Sequence, residues 1–264
     1  GEAAVAAIKA SVADAEIELM QCDLGKMASI RAFAKAFLVQ HDKIDLLINN
    51  AGVMACPHMT TSDGLEMQFG TNHIGHFLLT NLLTPALVKA AKAGGDVRIV
   101  NLSSRGHHFD TVHFDDPHFE TRDYDKWASY GQAKTANIMF SVGLEKRLAD
   151  KGVHSLAVHP GGIQTNLGRH LTEDDIAALM KRMEDNSQGN FAFKTVEAGA
   201  ATTCYAATAP ELEGKGSVYL EDCHVADVND EDPSGSVRSY AVDPGNAEKL
   251  WTLSEATVDE NFSY

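Results

Sequence analysis

A tyrosine and a lysine stand four residues apart in the stretch WASYGQAKTANIMF, as Tyr130 and Lys134. At positions i and i+4 of a helix, two side chains lie on one side within a turn of each other. A phenol ionises near pH 10, about three units above neutrality, so a tyrosine that both gives and takes a proton needs about 4 kcal/mol of help for its phenolate. A cation about 4 Å away at an effective dielectric near 20 supplies on the order of that amount. Two further side chains fit the same chemistry. A hydroxyl at Ser104, closing the run NLSS, could hydrogen-bond, polarise and orient a substrate carbonyl for hydride attack. Asn72, in GTNHIGHFLL, could hold a water that links Lys134 to solvent, a use that would account for an amide in a helix interior.

Such groups act together only if the chain brings them to one place, and the hydrophobic periodicity points to a scaffold that does so. EIELMQCDL alternates and reads as a strand, KMASIRAFAKAFLVQH has helical spacing, and KIDLLINNAGV is a short apolar run stopped by turn residues. The pattern repeats with a helix over about 65–93, a strand DVRIVNLSS, a helix over about 127–151, a strand VHSLAVHPGG, a helix near 196–209 and a last strand GSVYLED. Alternation of this kind predicts a doubly wound α/β fold with a parallel sheet. Ligands bind beyond the carboxyl ends of such strands, and that is where Asn49 to Gly52, Ser103 with Ser104, and Pro160 to Gly162 fall. Residues 105–126 and a segment of about 163–194 would form the walls and lid of a pocket there.

Composition narrows the class. A chain of 264 residues with 44% hydrophobic and 22% charged residues reads as one globular domain spanning 1–264. The net charge of -15, with lysines and arginines scattered, argues against nucleic acid as a partner. No apolar run reads as a membrane span, and the first residues lack a signal-peptide layout. Cys22, Cys56, Cys204 and Cys223 are widely spaced, as expected of reduced thiols in a cytoplasmic protein.

Taken in order, NNAG (Asn49 to Gly52), NHIG (Asn72 to Gly75), NLSS (Asn101 to Ser104), YGQAK (Tyr130 to Lys134) and HPGGIQT (His159 to Thr165) resemble the short-chain dehydrogenase/reductase family over essentially the whole chain. RIVNLSSRGHH, the long stretch before YGQAK and the closing AEKLWTLSEATV are most similar to its retinol-dehydrogenase and WW-domain-oxidoreductase branch. The resemblance implies Tyr130 as acid/base, Lys134 as its electrostatic partner and ribose ligand, Ser104 rather than Ser103 as substrate orienter, and Asn72 as water holder. It further implies a nicotinamide cofactor, NAD or NADP with the branch leaning to NADP. Asp23 and Leu24 would approach its adenine, Asn50, Ala51 and Gly52 would line it, and Pro160, Gly161, Ile163 and Thr165 would hold the nicotinamide side. The expected substrate is a small apolar alcohol or its carbonyl, and the expected assembly a homodimer or homotetramer.

The family pattern opens with a strand and a glycine-rich turn that receives the pyrophosphate. This sequence has no such turn, so the expectation is a chain lacking its first βαβ unit, with EIELMQC left without a neighbour and a central strand left as an open edge. A rival reading is a catalytically silent module that binds a dinucleotide or a partner protein. Other residues invite plainer readings. His107, His108, His113 and His118 lack regular ligand spacing and suggest a solvated pocket rim, with no metal. Met180 and Met183 read as lid packing, Trp127 as a helix anchor, and NDEDPSG as a solvated turn, while Phe191 and Phe193 could serve packing or substrate.

Overall fold

Four strands run parallel in the order β1 (Leu46–Asn49), β2 (Val97–Leu102), β3 (Val153–His159) and β4 (Val218–Glu221), and β5 (His224–Val225) adds a short antiparallel margin. The computed structural model describes residues 1–186 and 192–264. β2 and β3 are nearly all buried, as parallel strands covered on both faces must be. The helices are α1 (Glu2–Ser11), α2 (Met27–Gln40), α3 (Met67–Phe69), α4 (Gly75–Lys92), α5 (Lys126–Leu148), α6 (Glu173–Asn186), α7 (Val196–Thr208), α8 (Ser239–Val242) and α9 (Pro244–Val258).

Alternation along the strands sorts the layers. Val97 and Ile99 face a core built with α2, α4, α5 and α9, in which Phe77, Phe140 and Trp251 meet ring to ring. Val100, Leu156, Val158 and Leu220 face the other way, against Ala206 and Leu212 in and after α7. This is the three-layer arrangement that the alternating pattern predicts. Buried Arg98 fastens the second layer, donating to the carbonyls of Ala206 (3.0 Å) and Ala209 (2.9 Å) while paired with Asp96.

A polar ladder crosses the sheet near its carboxyl end. Asn49 Nδ2 donates to Asn101 Oδ1 (2.7 Å) and Thr80 Oγ1 (2.9 Å), and Asn101 Nδ2 donates to Ser141 Oγ (2.8 Å) and Ser155 Oγ (3.2 Å). Asn49 and Asn101 are also register partners. A one-residue slip would throw these amides against the α7 layer, so the ladder fixes the pairing of three strands.

Two expectations change. EIELMQC forms no strand: among the described residues no strand lies beside it to take its backbone hydrogen bonds, and it stays irregular with Leu19 exposed. The open edge expected of a central strand is β1, the margin of the sheet among the described residues, and its Leu46 and Ile48, on the α7 face but beyond its reach, are 38% and 40% exposed. The run Met67–Lys92 does have the length and hydropathy of a membrane span, but 67% of its apolar 18-residue stretch is buried within the fold, so it packs as a core helix. Of the lid expected over 163–194, residues 187–191, including Phe191, lie outside the described residues.

Candidate active site

α5 starts where Asp125 Oδ1 accepts the N–H groups of Trp127 (2.9 Å) and Ala128 (2.7 Å), capping two of the free donors of its first turn. Tyr130 and Lys134 follow one and two turns later, 4% and 5% exposed, at the carboxyl end of the sheet. The tyrosine ring packs against Gly106, where a Cβ would come within 2.7 Å of Tyr130 Cε1, so only glycine allows that approach. Ser104 ends the β2 loop beside it. Its Oγ accepts the Gly106 N–H (3.0 Å), and the same hydroxyl stands near enough to the Tyr130 phenol to favour its ionised form. Ser103 does something else: its hydroxyl is spent on the Lys134 carbonyl (2.7 Å) in the core.

The electrostatics differ from the simple ion-pair expectation. Burial pushes Tyr130 up to about 12, with the Ser104 hydroxyl pulling the other way. Burial also pulls Lys134 down to about 8. Lys134 Nζ donates to the Leu102 carbonyl (3.0 Å) and lies 5.6 Å from the Tyr130 ring centre, so the cation is turned toward the strand end and the tyrosine is held as the protonated acid.

Asn72 sits in a widened, π-helical turn, Gly70–Ile74, between α3 and α4. Turns of this kind recur at functional sites because the extra residue frees backbone groups. Glu66 caps the segment, accepting from Gln68 N (3.0 Å) and Phe69 N (2.7 Å). Both polar atoms of the Asn72 side chain clasp Val53, Oδ1 accepting its N–H (2.8 Å) and Nδ2 donating to its carbonyl (2.9 Å). The Asn72 carbonyl takes the His76 Nδ1–H (2.9 Å). The side-chain amide therefore holds the loop after β1.

The other expected positions spread along the same edge. Asn50 and Ala51 are exposed and Gly52 is half-buried; a Cβ on Gly52 would stand 2.8 Å from Asn72 Oδ1 and 3.9 Å from Lys134 Nζ. Asp23 is exposed and accepts from Gly25 N (2.9 Å), and Leu24 packs against the start of α4 at Gly75. Pro160 and Gly161 are half-buried, Gly161 at φ 97 with Lys194 packed against it. Ile163 bridges to Lys194 and touches Gly199 on α7, while Thr165 is exposed and accepts from Leu167 N (3.3 Å).

The histidine-rich loop is no solvated rim. His107 is fully buried, His108 bridges Ser236 and Arg238, His113 pairs with Asp110, and His118 accepts the Glu66 N–H. For His107 and His108 the cover comes from residues 226–241, more than a hundred positions away, which no local pattern reveals. Among the described residues no cluster of three or more His, Cys, Asp or Glu could hold a metal. The lid helix α6 is latched onto this loop: Lys126 pairs with Asp175 (2.5 Å), and the Arg182 guanidinium lies 4.2 Å over the Phe109 ring, itself edge-on to Trp127.

A tyrosine, serine and lysine gathered at the carboxyl ends of a doubly wound parallel sheet define an oxidoreductase of the dinucleotide-binding type. A profile of the family described as short chain dehydrogenase matches residues 1–116. "Short-chain dehydrogenase/reductase prx1" of Penicillium rubens is 40% identical over 245 residues, covering 92% of this chain and 71% of the relative. "Retinol dehydrogenase 14" of Homo sapiens is 40% identical over 243 residues, covering 92% and 67%. Among solved structures, an uncharacterised protein of Mycobacterium paratuberculosis superposes with a TM-score of 0.69 at 31% identity, over 98% of this chain and 82% of that one. NADPH-bound carbonyl reductase from chicken fatty liver shares the fold, with a TM-score of 0.55 at 22% identity over 84% and 81%. The chain belongs to the short-chain dehydrogenase/reductase family.

Proposed function

We propose that this oxidoreductase interconverts an apolar alcohol and its aldehyde or ketone with a nicotinamide cofactor, Tyr130 being the proton donor and acceptor. The observation that carries the reading is the Tyr130 phenol, buried at the strand ends with Ser104 beside it against Gly106 and Lys134 one turn along the same helix. Ser104 holds the substrate oxygen beside the phenol, and Tyr130, protonated at neutral pH, gives it a proton in the reducing direction. Lys134 steadies the charge left behind. A bound nicotinamide supplies or accepts the hydride.

The fit of the cofactor is uneven. Gly52 carries no side chain between Asn72 and Lys134, and Gly161 adopts a backbone conformation that a larger residue would strain, so the loops after β1 and β3 run bare beside the tyrosine and lysine, as a ribose and nicotinamide there would need. Neither feature separates NAD from NADP. Phe109 and Trp127, next to the tyrosine and under the lid, supply an apolar wall that favours an apolar substrate. From Ser129 to Leu144 every residue of α5 is buried by the chain itself, partly under α9, so a homodimer or homotetramer would join through other surfaces.

The test is Tyr130→Phe in the full chain. Turnover of aliphatic and aromatic aldehydes with NADH or NADPH should fall below detection while dinucleotide binding by calorimetry is unchanged. Surviving turnover would remove Tyr130 from the role. Dinucleotide binding without turnover by the wild type would instead favour a silent binding module.

A further inference from the structure

His107 ties the Ser104 turn to a distant part of the chain. The imidazole is 0% exposed, in the 3-10 turn Arg105–His108 that follows Ser104 directly. Its Nδ1 lies 2.7 Å from the Ser104 carbonyl oxygen, and its Nε2 lies 3.2 Å from the backbone nitrogen of Arg238. A carbonyl only accepts and a backbone N–H only donates. Nδ1 must therefore carry the proton and Nε2 must be bare, so the two contacts dictate one neutral tautomer. The Ser104 carbonyl also accepts the His107 backbone N–H (3.0 Å), and the next amide, Gly106, holds the Ser104 hydroxyl.

The same residue is fastened from its other end. The His107 carbonyl accepts the Tyr240 hydroxyl (2.6 Å), and the hydroxyl of Thr135, which adjoins Lys134 on the catalytic helix, lies 3.2 Å away while donating more closely to the Asp110 carbonyl (2.8 Å). The buried ring also packs edge-on against Tyr219 and His108, 5.0 and 4.4 Å between centroids. Arg238 is itself held, through its guanidinium, by His108 (3.1 Å), the Asp232 carbonyl (2.8 Å) and the Asn229 carbonyl.

We propose that His107 is a positioning residue of this enzyme: by bridging the Ser104 carbonyl to the Arg238 amide it sets the angle at which the Ser104 hydroxyl meets Tyr130 and the substrate. It makes the segment Val228–Tyr240, remote in sequence, part of the active-site scaffold. The role rests on the oxidoreductase reading given above. A hydroxyl displaced by about 1 Å costs on the order of 100-fold in rate, because the reacting groups leave their alignment.

The experiment compares wild type, His107→Phe and His107→Asn in the full chain. Asparagine can present an N–H near the Nδ1 position, and phenylalanine fills the ring's space without a donor. With an aldehyde and NADPH or NADH, His107→Phe should lose about 10- to 100-fold in kcat, with KM and dinucleotide Kd within about 3-fold, and His107→Asn should recover most of the loss. A folded His107→Phe enzyme with kcat near wild type, or an asparagine variant no better than phenylalanine, would overturn the proposal. Nitrogen-15 spectra of the wild-type histidines give a readout independent of turnover and of variant folding. A protonated Nδ1 with bare Nε2 is expected at His107, and the opposite tautomer would refute the bridge. Wild type without turnover but with the expected tautomer would refute the oxidoreductase reading, and the positioning role with it, while leaving the bridge intact.

Discussion

Acid should unfold this protein well above the range in which its carboxylates titrate. His73, His76 and His159 are at most 7% exposed, and burial, the largest cause in each case, pulls them down to about 3, about 4 and about 3. An unfolded histidine titrates near pH 6.5. Between those values the unfolded chain binds protons that the folded chain refuses, so the stability is complete above pH 6.5 and is lost as pH falls toward the folded values. At about pH 5 each of the three favours the unfolded state by about 2 kcal/mol, together about 6 kcal/mol against a typical domain stability of 5–15 kcal/mol. His107, also lowered by burial, adds to the loss, whereas Glu66, raised by burial, takes its proton more readily when folded and opposes it. Urea unfolding followed by far-UV circular dichroism at pH 7.5 and at pH 5.5 measures the difference. The midpoint should fall sharply at the lower pH, and His73→Gln should reduce that fall by about one proton's share. An unfolding free energy the same within about 1 kcal/mol at both pH values would show that these rings are not held neutral.

Three substitutions probe the scaffold. Asp125→Ala removes the cap of α5 and should cost about 1 kcal/mol in thermal or urea unfolding, with a smaller kcat if the first turn frays toward Tyr130. Asn101→Leu strips Asn49, Ser141 and Ser155 of their shared partner, and a loss of about 2–4 kcal/mol is expected; a neutral result would mean the ladder does not hold the strands. Trp251→Ala opens a cavity beneath Phe77 and Phe140 and should cost about 3–5 kcal/mol, and light scattering should then show whether uncovering α5 makes the chain associate.

Much of the site was legible because its residues lie at strand ends and on one helix face, where local pattern and topology agree. KIDLLINN, DVRIVNLSS and VHSLAVH form strands, and the positions after them converge as the parallel sheet requires. What stayed hidden depends on distant partners. EIELMQC has a strand's alternation, but a strand exists only when a neighbour takes its hydrogen bonds. The histidine loop looks polar and solvated until residues 226–241 fold over His107 and His108. The electrostatic help expected of Lys134 assumed a bare cation about 4 Å away. Desolvation of both groups and the Leu102 carbonyl weaken that help without removing the cation, and these are properties of burial that spacing does not carry. Asn49 and Asn101 gave a faint signal, an amide at or next to the end of each strand, whose meaning needed the register between them.

The margin at β1 sets a direction for the molecule's opening motions. β3 is hydrogen-bonded on both sides, while β1 has a partner on one side only and carries two half-solvated aliphatic side chains. Amide deuteration should therefore sweep across the sheet as a front, reaching the outward N–H groups of β1 first, β2 later and β3 last. The slowest-exchanging amides of β3 lead straight into His159 and the loop that follows, so that end of the candidate site stands on the part of the chain that opens least often, and the loop after β1 on a part that opens more readily.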